Sequence, residues 1–277
     1  MRHKRLADES VELAVAEVQL PDERDLYVHA LSDIHIESPT FRKKAFQAKL
    51  AELRGSTANH RIILLGDLID AAIASSKGFY HGARTPEEAC EELLQAFGPL
   101  ADRVDLIMGG NHERRIERVA GISLVKVFAA LVGRPAQFRG GPTVLRYAFN
   151  QTASKKGTQE FSQRAKFYCH HGYGGGMRPG SSTNRVEDLA KSVVDADVYL
   201  MGHVHRRAVF QDCVYSGWPL REHRRTFVIT GTYQGHEHYA QEMGLTPQLG
   251  EGPPVIHLVQ DNSAEGRGQR TRVEVLS

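Results

Sequence analysis

The chain is poor in the features that would place it outside the cell or across a membrane. Its three cysteines, Cys90, Cys169 and Cys213, are widely spaced and odd in number. That excludes a disulfide framework and a Cys-x-x-Cys metal site, and makes the reducing cytoplasm the expected compartment. No apolar run approaches the roughly 18 residues of a membrane-spanning helix. Residues 1–25 carry Asp8, Glu9, Glu12 and Glu17 among their apolar positions, so no signal peptide is expected there. Charge is nearly balanced, 35 basic against 33 acidic residues for a net +2. Nothing therefore draws the whole molecule to nucleic acid or to a membrane, and any anion-binding surface must be local. Internal repeats and low-complexity tracts are absent. What is left is 277 residues with 41% hydrophobic content, enough for one large domain with a sizeable core.

Residues 26–277 read as one domain behind an N-terminal extension, 1–25. Strands are expected at 26–31, 61–65, 104–108, 165–169, 198–201 and 226–230. Each is short, apolar or alternating, and closed by Gly, Asp or His. Helices are expected between them: 39–53, opened by Ser38-Pro39; 89–97, behind a Thr85/Glu88 capping box; 116–132; and 184–194. The alternation predicts an α/β architecture. The middle breaks the rhythm. A strand at 143–149 follows Gly140-Gly141-Pro142, and polar residues 150–163 lead to the next strand, which predicts an antiparallel pair with a long solvated loop. Residues 5–20 fit a short amphipathic helix, with Leu6, Leu13, Val15 and Leu20 partly on one side, or equally a loosely attached extension. Residues 244–254 read as a Gly/Pro-containing surface loop, followed by strands at 255–260 and 272–276 with a polar, mobile stretch between them.

Five segments far apart in sequence each end an expected strand with metal-ligand residue types. They are Asp33-Ile34-His35, Gly66-Asp67-Leu68-Ile69-Asp70, Gly109-Gly110-Asn111-His112-Glu113, His170-His171-Gly172 and Gly202-His203-Val204-His205. Asp33 and His35, two apart, share a face at a strand end. Asp67 follows a fully apolar run and falls at the carboxyl edge of the sheet, where α/β proteins bind ligands; it reads alternatively as a helix cap. Asn111 and His112 read as site residues or as a turn with an exposed histidine. His203 and His205 resemble a chelating pair. His170 and His171 are strand neighbours facing opposite sides, so one of the two points into a site. Together the segments supply carboxylates, one amide and several imidazoles, which is what a pair of divalent cations needs. The mixed donor set favours transition metals over Mg alone.

In this order the five segments closely resemble the calcineurin-like metallophosphoesterase superfamily, whose pattern is D-x-H, G-D-x-x-D, G-N-H-[DE], H-G and G-H-x-H, over roughly residues 28–240. The resemblance implies two β-sheets packed face to face and flanked by helices, an αββα sandwich. It implies two divalent transition-metal ions, Mn before Fe, Zn or Ni. One would be held by Asp33, His35, Asp67 and His205, the other by Asp67, Asn111, His171 and His203, with Asp67 bridging. His171 takes the place over His170 because the family ligand directly precedes glycine. The resemblance also makes His112 a general acid or transition-state stabiliser, oriented by Asp70. The implied nucleophile is a metal-bridging hydroxide, with no covalent enzyme intermediate.

One departure bears on substrate. Ser/Thr protein phosphatases of the superfamily carry Arg directly after G-D-x-x-D, gripping a terminal phosphate, and here that position is Ala71. This argues against a protein phosphatase. Arg114, Arg115 and Arg118 follow one motif, Arg206 and Arg207 another, with Arg178, Arg221, Arg224 and Arg225 further along. Guanidinium binds phosphate in bidentate fashion, which makes Arg114, Arg115 and Arg206 candidate substrate contacts; the alternative is a set of solvated surface arginines. The glycines of 173–179 either bring amides to a phosphate or form a plain flexible loop. Residues 233–254 resemble the C-termini of phage-encoded and bacterial members, which points toward nucleic-acid-related chemistry. The resulting expectation is a metal-dependent phosphoric ester hydrolase, a phosphodiesterase acting on a nucleotide or nucleic acid. A small-molecule phosphomonoesterase is the competing enzyme and a non-catalytic metal-binding scaffold the competing class; the complete ligand set argues against the scaffold. No membrane partner is expected. A homodimer is compatible with the implied fold, and no apolar stretch in the sequence marks its interface.

Overall fold

The computed structural model describes residues 13–71, 84–153, 159–175, 178–218, 220–236, 252–261 and 270–276. In chain order its strands are β1 (Ala14–Leu20), β2 (Leu26–Leu31), β3 (His60–Leu65), β4 (Val104–Met108), β5 (Phe138–Arg139), β6 (Thr143–Ala153), β7 (Gln159–His170), β8 (Val198–Met201), β9 (Arg207–Ser216), β10 (Arg221–Thr230), β11 (Val255–Asp261) and β12 (Arg270–Leu276). The helices are α1 (Lys43–Gly55), α2 (Pro86–Phe97), α3 (Glu113–Ala120), α4 (Leu124–Leu131) and α5 (Pro179–Ser192). Among the described residues the strands form two six-stranded mixed sheets, ordered β1-β6-β7-β8-β10-β9 and β12-β11-β2-β3-β4-β5.

The two sheets pack face to face through an apolar layer. Val28, Ile63, Leu65 and Leu106 of one meet Leu145, Tyr147, Phe167 and Leu200 of the other. The central strands are apolar on both faces because both faces are covered. Ile62, Leu64 and Ile107 pack outward against α1, α2 and α4, while Tyr199, Met201 and Phe227 pack outward against α5. This is the expected αββα sandwich, with the core in three layers. β2, β3 and β4 run parallel, as do β7 and β8. The loops that leave their carboxyl ends carry the five motif segments.

Several expectations need correction. Residues 14–20 are neither helix nor loose extension; they pair in parallel with β6 at seven registered positions. Ala16, Val18 and Leu20 pack on the inter-sheet core while Val15 and Glu17 are exposed, so the operative period is two, not 3.6. The polar 150–163 stretch is largely ladder, not loop: β6 and β7 stay paired out to Ala153 and Gln159. The 39–53 helix starts later, at Lys43, because Ser38 closes a turn with Phe41 and receives Gln234 Nε2 at 3.3 Å instead of capping. The 116–132 helix is two helices, broken where Gly121 adopts φ 69° and Ser123 caps the second. β9 is a strand where the sequence predicts none. Residues 1–12, most of 244–254 and 262–269 lie outside the described residues. None of the described helices is long and apolar enough to cross a membrane.

Away from the motif loops, a buried histidine pair links β2 to β3. His29 Nε2 lies 2.7 Å from His60 Nδ1, and His60 Nε2 lies 2.8 Å from Ser56 Oγ. Burial, with Lys49 and His60 adding to it, pulls His29 down to about 3. Unfolding returns it to the usual value near 6.5, so the unfolded chain binds the extra proton. His29 thus contributes stability that is complete above about pH 6.5 and fades as pH falls toward 3. A His29→Gln variant, which keeps a hydrogen-bonding group but cannot titrate, should show a flatter loss of thermal midpoint between pH 6.5 and 4 than the parent chain, read by circular dichroism. Parallel acid limbs would refute the assignment.

Candidate metal centre

Backbone bonds tie four of the five loops in two pairs. Asp33 N donates to Gly66 O, His35 N to Asp67 O and Ile36 N to Leu68 O, so the first two motifs run side by side. Gly202 N donates to His171 O at 2.9 Å, joining the last two. Gly66 and Gly110 pack backbone against backbone. A Cβ on Gly66, at φ 93°, would sit 2.6 Å from Gly110 N, and one on Gly110 would sit 2.5 Å from Asp67 N. Both positions therefore require glycine.

The backbone here is held in unusual conformations. Among the described residues seven non-glycine residues have positive φ, and five of them are Asp33 (51°), His35 (46°), Asp67 (49°), His203 (67°) and His205 (55°). Left-handed conformation costs an L-residue roughly 1–2 kcal/mol, and such residues concentrate at functional sites. The strain aims the side chains inward rather than along regular strand or helix directions.

The side chains meet in two groups around Asp67. In the first, Asp33 Oδ1 lies 3.2 Å from His205 Nε2, and His35 Nε2 lies 4.0 Å from Asp67 Oδ2. In the second, Asp67 Oδ2 lies 3.3 Å from His171 Nε2, while Asn111 Oδ1 lies 3.0 Å from His171 Nε2 and 2.8 Å from His203 Nδ1. Asp33, His35 and His205 form one cluster able to hold a metal ion, and Asp67, His171 and His203 form another. All seven candidate ligands named from the sequence are thus brought together. His170 faces away, its Nδ1 accepting from Gly172 N, and burial pulls it down to about 4.

Polar chemistry at the site fits cations. His171 Nδ1 lies 2.8 Å from Leu65 O, and a carbonyl can only accept, so the hydrogen is on Nδ1. In the neutral ring the Nε2 lone pair then faces two further acceptors, Asp67 Oδ2 and Asn111 Oδ1. Asp33 Oδ1 and both ring nitrogens of His35 are buried without a hydrogen-bond partner. Oxygens and ring nitrogens that converge this closely are held together by shared protons or by a metal ion. Protons fill that role in part. Burial opposes it, but Asp67 raises His171 to about 10, and Asp33 likewise raises His205. His35 and His203 are lowered, chiefly by burial. Burial would push the carboxyls of Asp33 and Asp67 up, but the surrounding imidazoles outweigh it and hold both below the usual range.

His112 stands at the edge of the cluster. Its Nδ1 lies 2.6 Å from Asp70 Oδ1, and Asp70 also reaches His35 Nδ1 at 3.4 Å. Burial lowers His112, but Asp70 and Asp67 prevail and lift it to about 9; burial would raise Asp70, but the two imidazoles keep it well below the carboxylate range. His112, His35 and Asp67 form a third cluster with metal-binding spacing. A ligand role for His112 is disfavoured because Arg115 Nη2 sits 3.0 Å from its Nε2, placing a cation at the nitrogen a metal would need. Of the other arginines, Arg114 points to Gly140 O at 3.4 Å, and half-buried Arg206 receives Gly231 N on its carbonyl. Arg221, Arg224 and Arg225 lie at the far end of β10 from this site.

Two buried carboxylates hold the Asp67 loop. Glu113, 3% exposed, accepts from the backbone N–H of Leu68 (2.6 Å), Gly110 (2.8 Å), Ile69 (3.1 Å) and Asp67 (3.2 Å). Glu37 accepts from Ala71 N at 2.7 Å, and burial lifts its carboxyl to about 7. The acid that closes the Asn-His-Glu motif was a signal for the first; nothing local marks the second.

Comparison with known proteins agrees with the fold. The profile of the calcineurin-like phosphoesterase family matches residues 26–207. Among solved structures, a conserved uncharacterized protein from Streptococcus pneumoniae TIGR4, titled a predicted phosphoesterase, aligns over 92% of this chain and 91% of its own at 11% identity. The TM-score of that alignment is 0.35. No curated protein matches significantly. The family profile covers well over half of the residues, and the chain belongs to the calcineurin-like phosphoesterases.

Proposed function

We propose that the chain is a two-metal phosphodiesterase acting on a nucleotide or nucleic-acid phosphoester. The observation that carries the reading is the convergence of carboxylate, amide and imidazole ligand atoms around Asp67 at metal-binding spacing. Asp33, His35, Asp67 and His205 would hold one divalent transition-metal ion, and Asp67, Asn111, His171 and His203 the other, with Mn favoured. Such a pair, when bound, supplies an activated water and neutralises charge on the phosphoryl oxygens.

The chain's own residues do the rest. Asp67 Oδ1 is fixed by the N–H of His112 at 2.9 Å, leaving Oδ2 to face the imidazoles. Asp70 holds His112 by Nδ1, so that Nε2 is the atom presented toward the leaving-group oxygen. Arg115, on that nitrogen in the free protein, is free of a fixed carboxylate partner among the described contacts and would move to a substrate phosphate. Arg114 and Arg206 are the outer candidates for substrate contact. Ala71 puts a methyl group where a guanidinium would grip a second negative charge, which suits a diester, with one charge, better than a terminal phosphate, with two.

The test compares bis-p-nitrophenyl phosphate with p-nitrophenyl phosphate, with Mn added and with metal stripped. A Mn-dependent preference for the diester is expected, and His112→Ala should lower that activity by about 10²–10⁴-fold. A preference for the monoester would make the chain a small-molecule phosphatase. Turnover of neither, with two ions bound, would favour the scaffold.

A further inference from the structure

The β9–β10 hairpin is an arm. β8 pairs with β10 only from Thr226 to Ile229, whereas β9 and β10 stay paired out to Ser216 and Arg221. The outer half therefore stands off the sheet, and β9 is its edge strand. This outer half carries a concentrated set of exposed apolar side chains, contrary to the expectation from sequence: Trp218 at 95%, Tyr215 at 72% and Leu220 at 64% exposure. Exposed Arg221 and Arg224 stand among them, and Asp212 is already neutralised by Arg225, leaving Glu222 as the acid. Tyr215 pairs with Glu222 and Cys213 with Arg224, so Tyr215, Glu222 and Arg224 share one face, Tyr215 and Arg224 as diagonal neighbours, while Arg221, paired with Ser216, lies on the other face next to the turn that carries Trp218.

We propose that this arm is a binding site for single-stranded nucleic acid, with Trp218 and Tyr215 stacking on bases and Arg221 and Arg224 pairing with phosphates. It rests on the phosphodiesterase reading and names the polymer as its substrate. Charge selects this occupant. In a two-fold contact each arm would bring the same excess of arginine against its copy, which repels, whereas a polyanion complements it. Geometry sets a length. β9 begins two residues after His205 and runs away from the metal centre, and ten residues of strand span about 30 Å. At about 3.4 Å per nucleotide a helically stacked strand needs roughly nine nucleotides to occupy both places, and an extended one fewer.

Trp218 is the chain's single tryptophan, so its fluorescence reports the arm directly. The experiment titrates the metal-loaded full chain with oligodeoxynucleotides of about 16 and about 4 nucleotides, follows cleavage of the same strands, and repeats both measurements of cleavage with Trp218→Ala. Expected are quenching by the long strand at much lower concentration than by the short one, and a loss of about ten-fold or more in kcat/KM on the long strand alone. Hydrolysis of bis-p-nitrophenyl phosphate should stay within about two-fold. No quenching by the long strand, an equal loss on every substrate, or a changed sedimentation state in Trp218→Ala would overturn the proposal, the last by assigning the arm to a second copy of the chain. Quenching by the long strand without hydrolysis of any diester would keep the arm and sink the phosphodiesterase reading.

Discussion

Replacing Asp67 with asparagine is expected to remove hydrolysis almost entirely, by about 10³-fold or more, and to weaken both metal ions together. Among the described residues Asp67 Oδ2 is the one carboxylate oxygen within 4.0 Å of His35, His112 and His171 at once. Asparagine keeps the shape and can still accept from His112 N, so the fold should survive. What goes is the negative charge shared by the two candidate sites, and an amide placed toward Oδ2 would point hydrogens at ring nitrogens that need a cation. Calorimetric titration with Mn, beside a thermal melt of the metal-free chain, separates the two effects. Two ions bound tightly by Asp67→Asn would remove Asp67 from the bridging role.

Glu113→Gln should act more selectively. The parent carboxylate gathers four backbone N–H groups, three from the Asp67 loop and one from Gly110, beside Asn111. Glutamine offers one acceptor oxygen and turns an NH₂ toward donors, leaving buried N–H groups unpaired. The disturbed residues, Asp67 and Asn111, are two of the four that would hold the second ion, whereas Asp33 and His205 are held by separate contacts. His203 N, Thr232 Oγ1 and Tyr233 N all bond Asp33. Affinity for the second ion should fall by about 10–100-fold, the usual effect of losing a residue that positions metal ligands, with the first, which shares only Asp67 of the two disturbed residues, less affected. A uniform drop at both sites, tracking a lower melting temperature, would mean that Glu113 only stabilises the fold.

The fold class could be read from the chain because its central strands announce themselves. Residues 62–65 are fully apolar and end in Gly-Asp, a pattern that only a doubly covered strand at a ligand-binding edge satisfies well. β1 and β9 were hard for the opposite reason. Their alternation is half-polar and interrupted by Glu17 and Gln19 or by Gln211 and Asp212, and only pairing with β6 and β10 decides which face is buried. The site divides the same way. Residue types and order singled out Asp33, His35, Asp67, Asn111, His171, His203 and His205, and their side chains lie close together in the fold. The positive φ angles that aim them, the Leu65 carbonyl that sets the tautomer of His171, and the hold of Glu37 on Ala71 N come from contacts between loops distant in sequence. No local pattern encodes those contacts. The distant placement of Arg221, Arg224 and Arg225 likewise depends on β10 running antiparallel to β9.

The most direct test of the two-metal account is a titration of the metal-stripped chain with Mn, counting bound ions while following hydrolysis of bis-p-nitrophenyl phosphate. The account predicts two ions per chain and full activity only when the second has bound. Full activity with one ion bound, or undiminished activity in the stripped protein, would contradict it.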